Sequence, residues 1–163
     1  MPENPGHENK KERPTALKNT AMLNILKEKL KAYILINNPE LLIRQEGDLI
    51  TSTYLEVKVS QVMPLVLKLL SEDKPAYIIE ELALNEMTAA LKPSRYNYLL
   101  ELLETEFQQD FEKFREIGVL RYEVLNLMEC CSETFEVFDF SEANEGNRFL
   151  RYAVIGKVHE YLN

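Results

Sequence analysis

Residues 94–117, which read SRYNYLLELLETEFQQDFEKFREI, form the stretch around which we expect the fold to be built. Apolar side chains recur in it every three or four positions, a spacing that places them on one face of an α-helix. Ser94 suits an N-cap, and Gly118 suits the position that ends a helix. The pattern predicts a central helix over about 94–117 with Leu103 and Phe107 nearly fully buried. The face consists of Tyr96, Leu100, Leu103, Phe107, Phe111 and Phe114.

The same periodicity predicts further helices along the chain. Residues 54–59 also alternate as a strand does, but the sequence offers such a strand no partner, and a lone strand is unstable. We therefore interpret 49–70 as helical and expect Pro64 to kink or divide it. The fold class that follows is all-α, an irregular bundle of five or six helices around the central one. The other helices are expected at about 19–37, 49–70, 75–91, 119–136 and 148–162.

The last helix carries an unusually wide apolar face. Its stripe consists of Leu150, Val154, Val158 and Tyr161, widened by Phe149, Tyr152 and Ile155. A face this wide indicates a helix that packs on two neighbours. Glycine inside a helix costs about 1 kcal/mol relative to alanine. We therefore expect the glycine at position 156 to lie at a close helix–helix contact.

Length and composition are those of an ordinary globular chain. The 163 residues, 45% of them hydrophobic, predict one helical domain over 18–163. Residues 1–17 are polar and read as a disordered tail without an apolar signal core. No apolar run of about 18 residues occurs, so we expect no membrane partner. The adjacent Cys130 and Cys131 cannot form a long-range disulfide with each other, which favours a reduced, cytoplasmic compartment.

Two short segments match the start of a metal-binding motif but lack residues that the rest of the motif requires. His159-Glu160 opens a zinc-protease pattern, but Asn163 stands where the second histidine is required. Residues 139–146 open like a calcium loop, but Asn144 occupies the obligatory glycine position and Leu150 that of the bidentate glutamate. We interpret these segments as an exposed histidine near a helix end and a capped acidic loop, and we assign no metal.

Catalytic signatures are equally weak. Glu129 and Glu133 flank the cysteine pair and oppose thiolate formation, so Cys131 is interpreted as a core residue. The carboxylates mostly fall on helix faces opposite the apolar stripes, as solvated surface residues do. The sequence has no nucleophile elbow, phosphate-binding loop or dinucleotide-binding glycine set. We therefore assign no catalytic and no cofactor-binding residue, and we expect no cofactor.

Charge is the most distinctive feature of the sequence. The chain carries a net charge of −8, which disfavours direct binding to nucleic acid. Residues 94–163 hold 7 basic and 14 acidic residues, a net charge of −7. No basic residue lies between Arg121 and Arg148. The acidic side chains of this interval serve either solubility or the docking of a basic protein partner. We predict the partner face to consist of exposed Glu129, Glu133, Glu136, Asp139 and Glu142.

Several short motifs resemble those of a small all-helical family of unknown function from gut and oral anaerobic bacteria, often carried on conjugative transposons. The shared segments are 91–100, Glu106-Phe107, Asn38-Pro39-Glu40-Leu41-Leu42 and the glycine-containing last helix, over about 20–162. This sequence departs at Asn38, where the family tends to have histidine, and at Pro93, where an aromatic residue is common. The resemblance implies a helical fold and a mobile-element context, and it brings no catalytic residue.

Three hypotheses of function follow from the sequence. The first is a non-enzymatic cytoplasmic interaction or accessory protein linked to a mobile element. The second is an acidic mimic of nucleic acid, or an antagonist, that occupies the basic surface of a DNA-handling protein. The third is an enzyme with an unrecognised site. A deep polar pocket would favour the enzyme, a continuous acidic face the mimic, and an exposed apolar patch protein docking or a homodimer.

Overall fold

The computed structural model describes the backbone over 12–43 and 48–163 and the side chains over 18–42 and 52–163, and it confirms the all-α fold class. Within these ranges the chain forms helices and no strand. None of the described helices is both long and apolar enough to cross a membrane. The helices are α1 (Glu12–Asn37), α2 (Glu40–Ile43), α3 (Asp48–Ser71), α4 (Ala76–Thr88), α5 (Arg95–Glu106), α6 (Gln108–Glu116), α7 (Leu120–Cys130), α8 (Ser132–Val137) and α9 (Arg148–Leu162), with a 3₁₀ turn at Ala89–Leu91.

The described residues gather into two compact units. The first unit consists of the described residues of 1–33 and 46–89, and the second consists of the described residues of 34–45 and 90–163. The prediction of one domain over 18–163 stays a prediction. Residues 1–11 of the predicted tail lie outside the described residues, whereas 12–17 form the first turns of α1.

The first unit is built on the packing of α3 against α4. Its buried apolar side chains recur at helical spacing, as Val59, Val62 and Val66 do on α3 and Ile79 and Ala83 do on α4. This spacing confirms the helical interpretation of 49–70. The helix runs through Pro64 without being divided. Gly47, a residue type that can break the chain before this helix, lies outside the described residues.

The second unit encloses the larger hydrophobic cluster. In it α5 packs on α6 and α7, while α9 packs on α7 and α8. The largest fully buried side chain is Phe135 of α8. The predicted burial of Leu103 is confirmed, and α5 also buries Leu99 and Leu102. The buried stripe of α5 therefore contains Leu99, Leu102 and Leu103. Leu100, which was predicted to lie on this stripe, is only half-buried.

The predicted continuous helix over 94–117 is divided at Phe107. This residue has φ −131° and ψ 50°, outside the helical region, and it is half-buried instead of nearly fully buried. A straight helix advances 100° per residue, which would carry Phe111 a third to half of a turn away from Leu99 and Leu102. The break redirects α6 so that Phe111 joins the same core as α5.

Other helix ends follow the local chemistry of the sequence. The Ser94 side chain accepts a hydrogen bond from the backbone N–H of Asn97 at 3.0 Å, as expected of an N-cap. Gly118 ends α6 with φ 77°, a left-handed conformation that glycine adopts without strain. The predicted helix over 119–136 is divided at Cys131, whose backbone has ψ 0°.

Helix α9 packs on two neighbours, α7 and α8, as its wide apolar face predicted, but part of that face stays in solvent. Leu150, Val154 and Val158 are fully buried, but Phe149 is 60% exposed and Tyr152 is 63% exposed. The prediction of a close helix contact at position 156 is wrong. That glycine is exposed, and no described atom beyond its own helix backbone and chain neighbours lies within 4 Å of where a Cβ would be.

Candidate functional site

An open cleft of about 650 Å³ lies in the second unit. One wall is the start of α5 with the residues just before it, another is the loop between α8 and α9, and α9 closes the base. Its volume falls within the range of about 300–1,000 Å³ that is usual for ligand sites. The lining residues are Lys92, Pro93, Ser94, Asn97, Tyr98, Glu101, Glu142, Glu145 and Arg151.

Hydrogen bonds to the end of α1 hold the α5 wall in place. The Ser94 hydroxyl donates to the backbone carbonyl of Asn37. The Asn97 side chain donates from Nδ2 to Asn37 Oδ1 at 2.8 Å. One residue further on, the Asn38 side chain donates to the carbonyl of Leu91 at 3.4 Å. Because these bonds join segments more than 50 positions apart, they fix the first turn of α5 beside the cleft.

The loop wall is shaped by one asparagine side chain. Asn144 Oδ1 accepts from the backbone N–H of Ser141 at 2.7 Å, and its Nδ2 donates to the carbonyls of Phe138 and Asp139 at 2.6 and 2.9 Å. An asparagine that satisfies nearby backbone groups in this way stabilises a turn without a metal. The segment that begins like a calcium loop is therefore a side-chain-capped loop.

The base of the cleft holds an arginine whose charge is already balanced. Arg151 forms ion pairs with Glu101 at 3.1 Å and with Glu106 at 3.0 Å, and it also donates to the Thr105 hydroxyl at 2.9 Å. Partial burial by itself favours the neutral guanidine, but the hydrogen bonds to Glu101 and Glu106 outweigh it and raise the pKa of Arg151. The guanidinium thus joins α9 to α5 and adds little positive charge to the cleft.

Tyr98 forms the aromatic part of the cleft. Its ring packs edge-on against Phe135 and Phe140, with centroids 5.5 and 5.2 Å away. Burial raises the pKa of Tyr98, so the phenol stays protonated at neutral pH. The Ser94 hydroxyl already donates to a backbone carbonyl. The cleft therefore presents charge and aromatic surface, with no hydroxyl in its lining activated by a neighbouring base.

The five carboxylates predicted as a partner face are all exposed, but the cleft includes only one of them. Glu142 lines the cleft beside Glu145, which belongs to the same acidic stretch. Glu129 lines a separate hollow of about 310 Å³. Glu136 accepts a 3.5 Å hydrogen bond from the hydroxyl of Ser132. The remaining two, Glu133 and Asp139, are exposed outside both hollows.

Periodicity alone could not predict the cleft, because its walls are about 45 residues apart in sequence. Lys92, Asn97, Tyr98 and Arg151 had no predicted role beyond helix formation. The available signal was local: an asparagine in the first turn of α5 and another in the acidic loop mark positions where side chains bind backbone or partner groups.

The remaining candidates have structural roles. Cys131 is fully buried, and burial raises the pKa of its thiol to about 11, as expected of a core cysteine. His159 is exposed in the last turn of α9. Over 18–42 and 52–163, where the side chains are described, no three His, Cys, Asp or Glu side chains come together in a group that could hold a metal ion.

No protein-family model, curated protein or solved structure matches this chain. The resemblance to the mobile-element family therefore stays a prediction.

Proposed function

We propose that this protein is a non-enzymatic interaction protein whose second unit binds a lysine- and arginine-rich segment of a partner protein. The observation that carries the proposal is the cleft, in which Glu142 and Glu145 lie together with the aromatic ring of Tyr98. Carboxylates bind guanidinium and ammonium groups through charge-assisted hydrogen bonds, and an aromatic ring adds apolar surface for the long stems of these side chains.

The charge balance of the cleft favours a cationic occupant. Arg151 is paired with two glutamates, so Lys92 is the other basic residue in the lining. Around the cleft, the interval between Arg121 and Arg148 contains no basic residue. Exposed charges of one sign raise the association rate of an oppositely charged partner, and salt screens that effect.

An interaction role also agrees with the low reactivity expected of the cysteine thiols. The cysteines at 130 and 131 are free, and the buried one has a raised pKa that disfavours its reactive thiolate. The proposal places the protein in the cytoplasm, where adjacent free thiols stay reduced. These properties support binding, and not catalysis, as the function of the cleft.

The test is the binding of a fluorescent peptide of eight alternating lysines and arginines, followed by anisotropy at two salt concentrations. The decisive variant is Glu142→Lys/Glu145→Lys, which reverses the charge of the cleft. Its matched control is Glu104→Lys/Glu116→Lys, which reverses two exposed glutamates of α5 and α6 outside the cleft and changes the net charge equally.

We expect the wild-type protein and the control to bind the peptide with affinities within about threefold of each other. The cleft variant should bind at least about tenfold more weakly, the equivalent of about 1.4 kcal/mol. Binding of the wild type should weaken as salt rises. Equal losses in both variants would show a general response to net charge and would contradict a docking role for the cleft.

A further inference from the structure

The arginine at the base of the cleft divides its hydrogen bonds between two places. Arg151 Nη2 donates to the Thr105 hydroxyl at 2.9 Å and to Glu106 Oε1 at 3.0 Å, and neither of these residues lines the cleft. Arg151 Nη1 donates to Glu101 Oε2 at 3.1 Å, and Glu101 does line the cleft. The guanidinium is therefore anchored outside the cleft through one nitrogen and neutralises a carboxylate of the cleft through the other.

Glu101 otherwise resembles the two carboxylates that we assign to the basic segment. All three residues line the same cleft, and the Glu101 side chain is 55% exposed despite its ion pair. Glu142 and Glu145 are exposed as well, and neither forms an ion pair within the part of the chain whose side chains are described. The positive charge of Arg151 beside Glu101 is what separates it from the other two.

We propose that Glu101 is a third ligand-binding carboxylate of the cleft, and that Arg151 competes for it and thereby limits the affinity for a basic segment. The inference rests on the proposed function, because a cationic ligand is what competes with a guanidinium for a carboxylate. A lysine or arginine of the partner that reaches Glu101 has to share it with Arg151 or to displace Arg151 from it. In both cases the bonds of Arg151 to Thr105 and Glu106 continue to join α9 to α5.

The electrostatics of Tyr98 support an opposition of these two charges inside the cleft. Burial is the largest cause of the raised pKa of Tyr98, while the charge of Arg151 lowers this pKa and the charge of Glu101 raises it. A bound cation beside the same ring experiences the same two charges with opposite signs of effect. An ion pair that is largely open to solvent also contributes little to folding, so a ligand can weaken it at small cost.

The test is the anisotropy titration of the full chain with the peptide of eight alternating lysines and arginines. Arg151→Gln removes the competitor and should tighten binding at least about fivefold, because Glu101 becomes free for a charge-assisted hydrogen bond. Glu101→Gln should weaken binding about twofold or more, because the charge of Arg151 is then less balanced. The double variant Glu101→Gln/Arg151→Gln should return the affinity to within about twofold of the wild type, because the gain depends on both residues.

An arginine–glutamate pair outside the cleft provides the matched control. Arg115 and Glu112 form an exposed ion pair on α6, and neither residue lines the cleft. Arg115→Gln and Glu112→Gln change the net charge by the same amounts as the single cleft variants, yet each should leave the affinity within about twofold of the wild type. Thermal melts check that every variant folds. Arg151→Met keeps the apolar stem of the side chain and repeats the test with its packing preserved.

Failure of this competition differs from failure of the proposed function. If the wild type binds the peptide, Glu142→Lys/Glu145→Lys loses it and neither Arg151→Gln nor Arg151→Met tightens binding, the competition is overturned while the proposed function stands. A gain no larger than that of Arg115→Gln would also overturn the competition. So would a gain that persists in the double variant Glu101→Gln/Arg151→Gln. A peptide that binds neither the wild type nor the Arg151 variants would overturn both proposals.

Discussion

Helices α8 and α9 pack on each other, yet their outer surfaces differ in kind. The exposed side chains of α8 are two carboxylates, Glu133 and Glu136, and the aliphatic Val137, while Phe135 is buried on the inside. On α9 the exposed side chains include Phe149 and Tyr152. The inner faces of both helices form one core, so the difference lies entirely in what each presents to solvent. A buried stripe therefore defines how a helix packs, and the opposite face defines what the surface can bind.

The shared core beneath the two surfaces should respond most strongly to mutation. Leu103 is fully buried, so Leu103→Ala should lower the free energy of unfolding by about 2–5 kcal/mol. Phe107 is half-buried at the break between α5 and α6, so Phe107→Ala should lower it by only about 1–2 kcal/mol. Urea denaturation of both variants measures the contrast. A larger loss for Phe107→Ala would contradict the divided helix.

The two adjacent cysteines differ in burial, so they should differ in their effect on stability at high pH. Burial raises the pKa of Cys131 from 9.0 to about 11, so the folded state favours the protonated thiol. The resulting stability is fully present below about pH 9 and is lost as pH rises toward 11. Cys131→Ala should reduce this decline in urea-denaturation free energy. Cys130→Ala should preserve most of it, because burial is the largest cause of the raised pKa of Cys131 and the charge of the exposed Cys130 only adds to it. Equal declines in wild type and Cys131→Ala would contradict the assignment.

A single kind of substitution should have opposite effects at two glycines. Gly156→Ala should raise the unfolding free energy by up to about 1 kcal/mol at low protein concentration, because the site is helical and open. Gly118→Ala should lower it by about 1–2 kcal/mol, because its φ of 77° is strained for alanine. Thermal and urea melts of the two variants measure the difference. A destabilised Gly156→Ala variant would contradict the open surroundings of position 156.

Most of the helices could be predicted because periodicity and capping are local properties. Ser94 caps the helix that it was expected to cap, and Asn147 caps α9 in the same way; Asn147 Oδ1 accepts from the backbone N–H groups of Phe149 and Leu150 at 2.8 and 3.2 Å. The break at Phe107 was not predictable from the same signals, since it depends on how Phe111 reaches a core shared with α5. Periodicity shows which residues share a helix face. It does not show whether the helix is interrupted so that those residues reach the core.

The functional surfaces were predicted only in part. Composition indicated the exposed acidic stretch, and all five of its named carboxylates are at the surface. It could not show that Glu142 and Glu145 meet Tyr98 in a cleft, because that requires the fold to bring α5 to the loop. Likewise, the width of the apolar face of α9 indicated two packing neighbours, and α9 packs on α7 and α8. It could not show that Phe149 and Tyr152 stay exposed.

We propose that the cleft and the acidic loop of the second unit bind a basic segment. Titration of the ¹⁵N-labelled protein with the lysine- and arginine-rich peptide distinguishes this site from the rest of the surface, since each backbone amide reports separately. We expect chemical-shift changes concentrated at 92–101 and 138–147, with little change on α3 and α4. Changes spread over the exposed carboxylates of both units, or changes confined to the first unit, would contradict it.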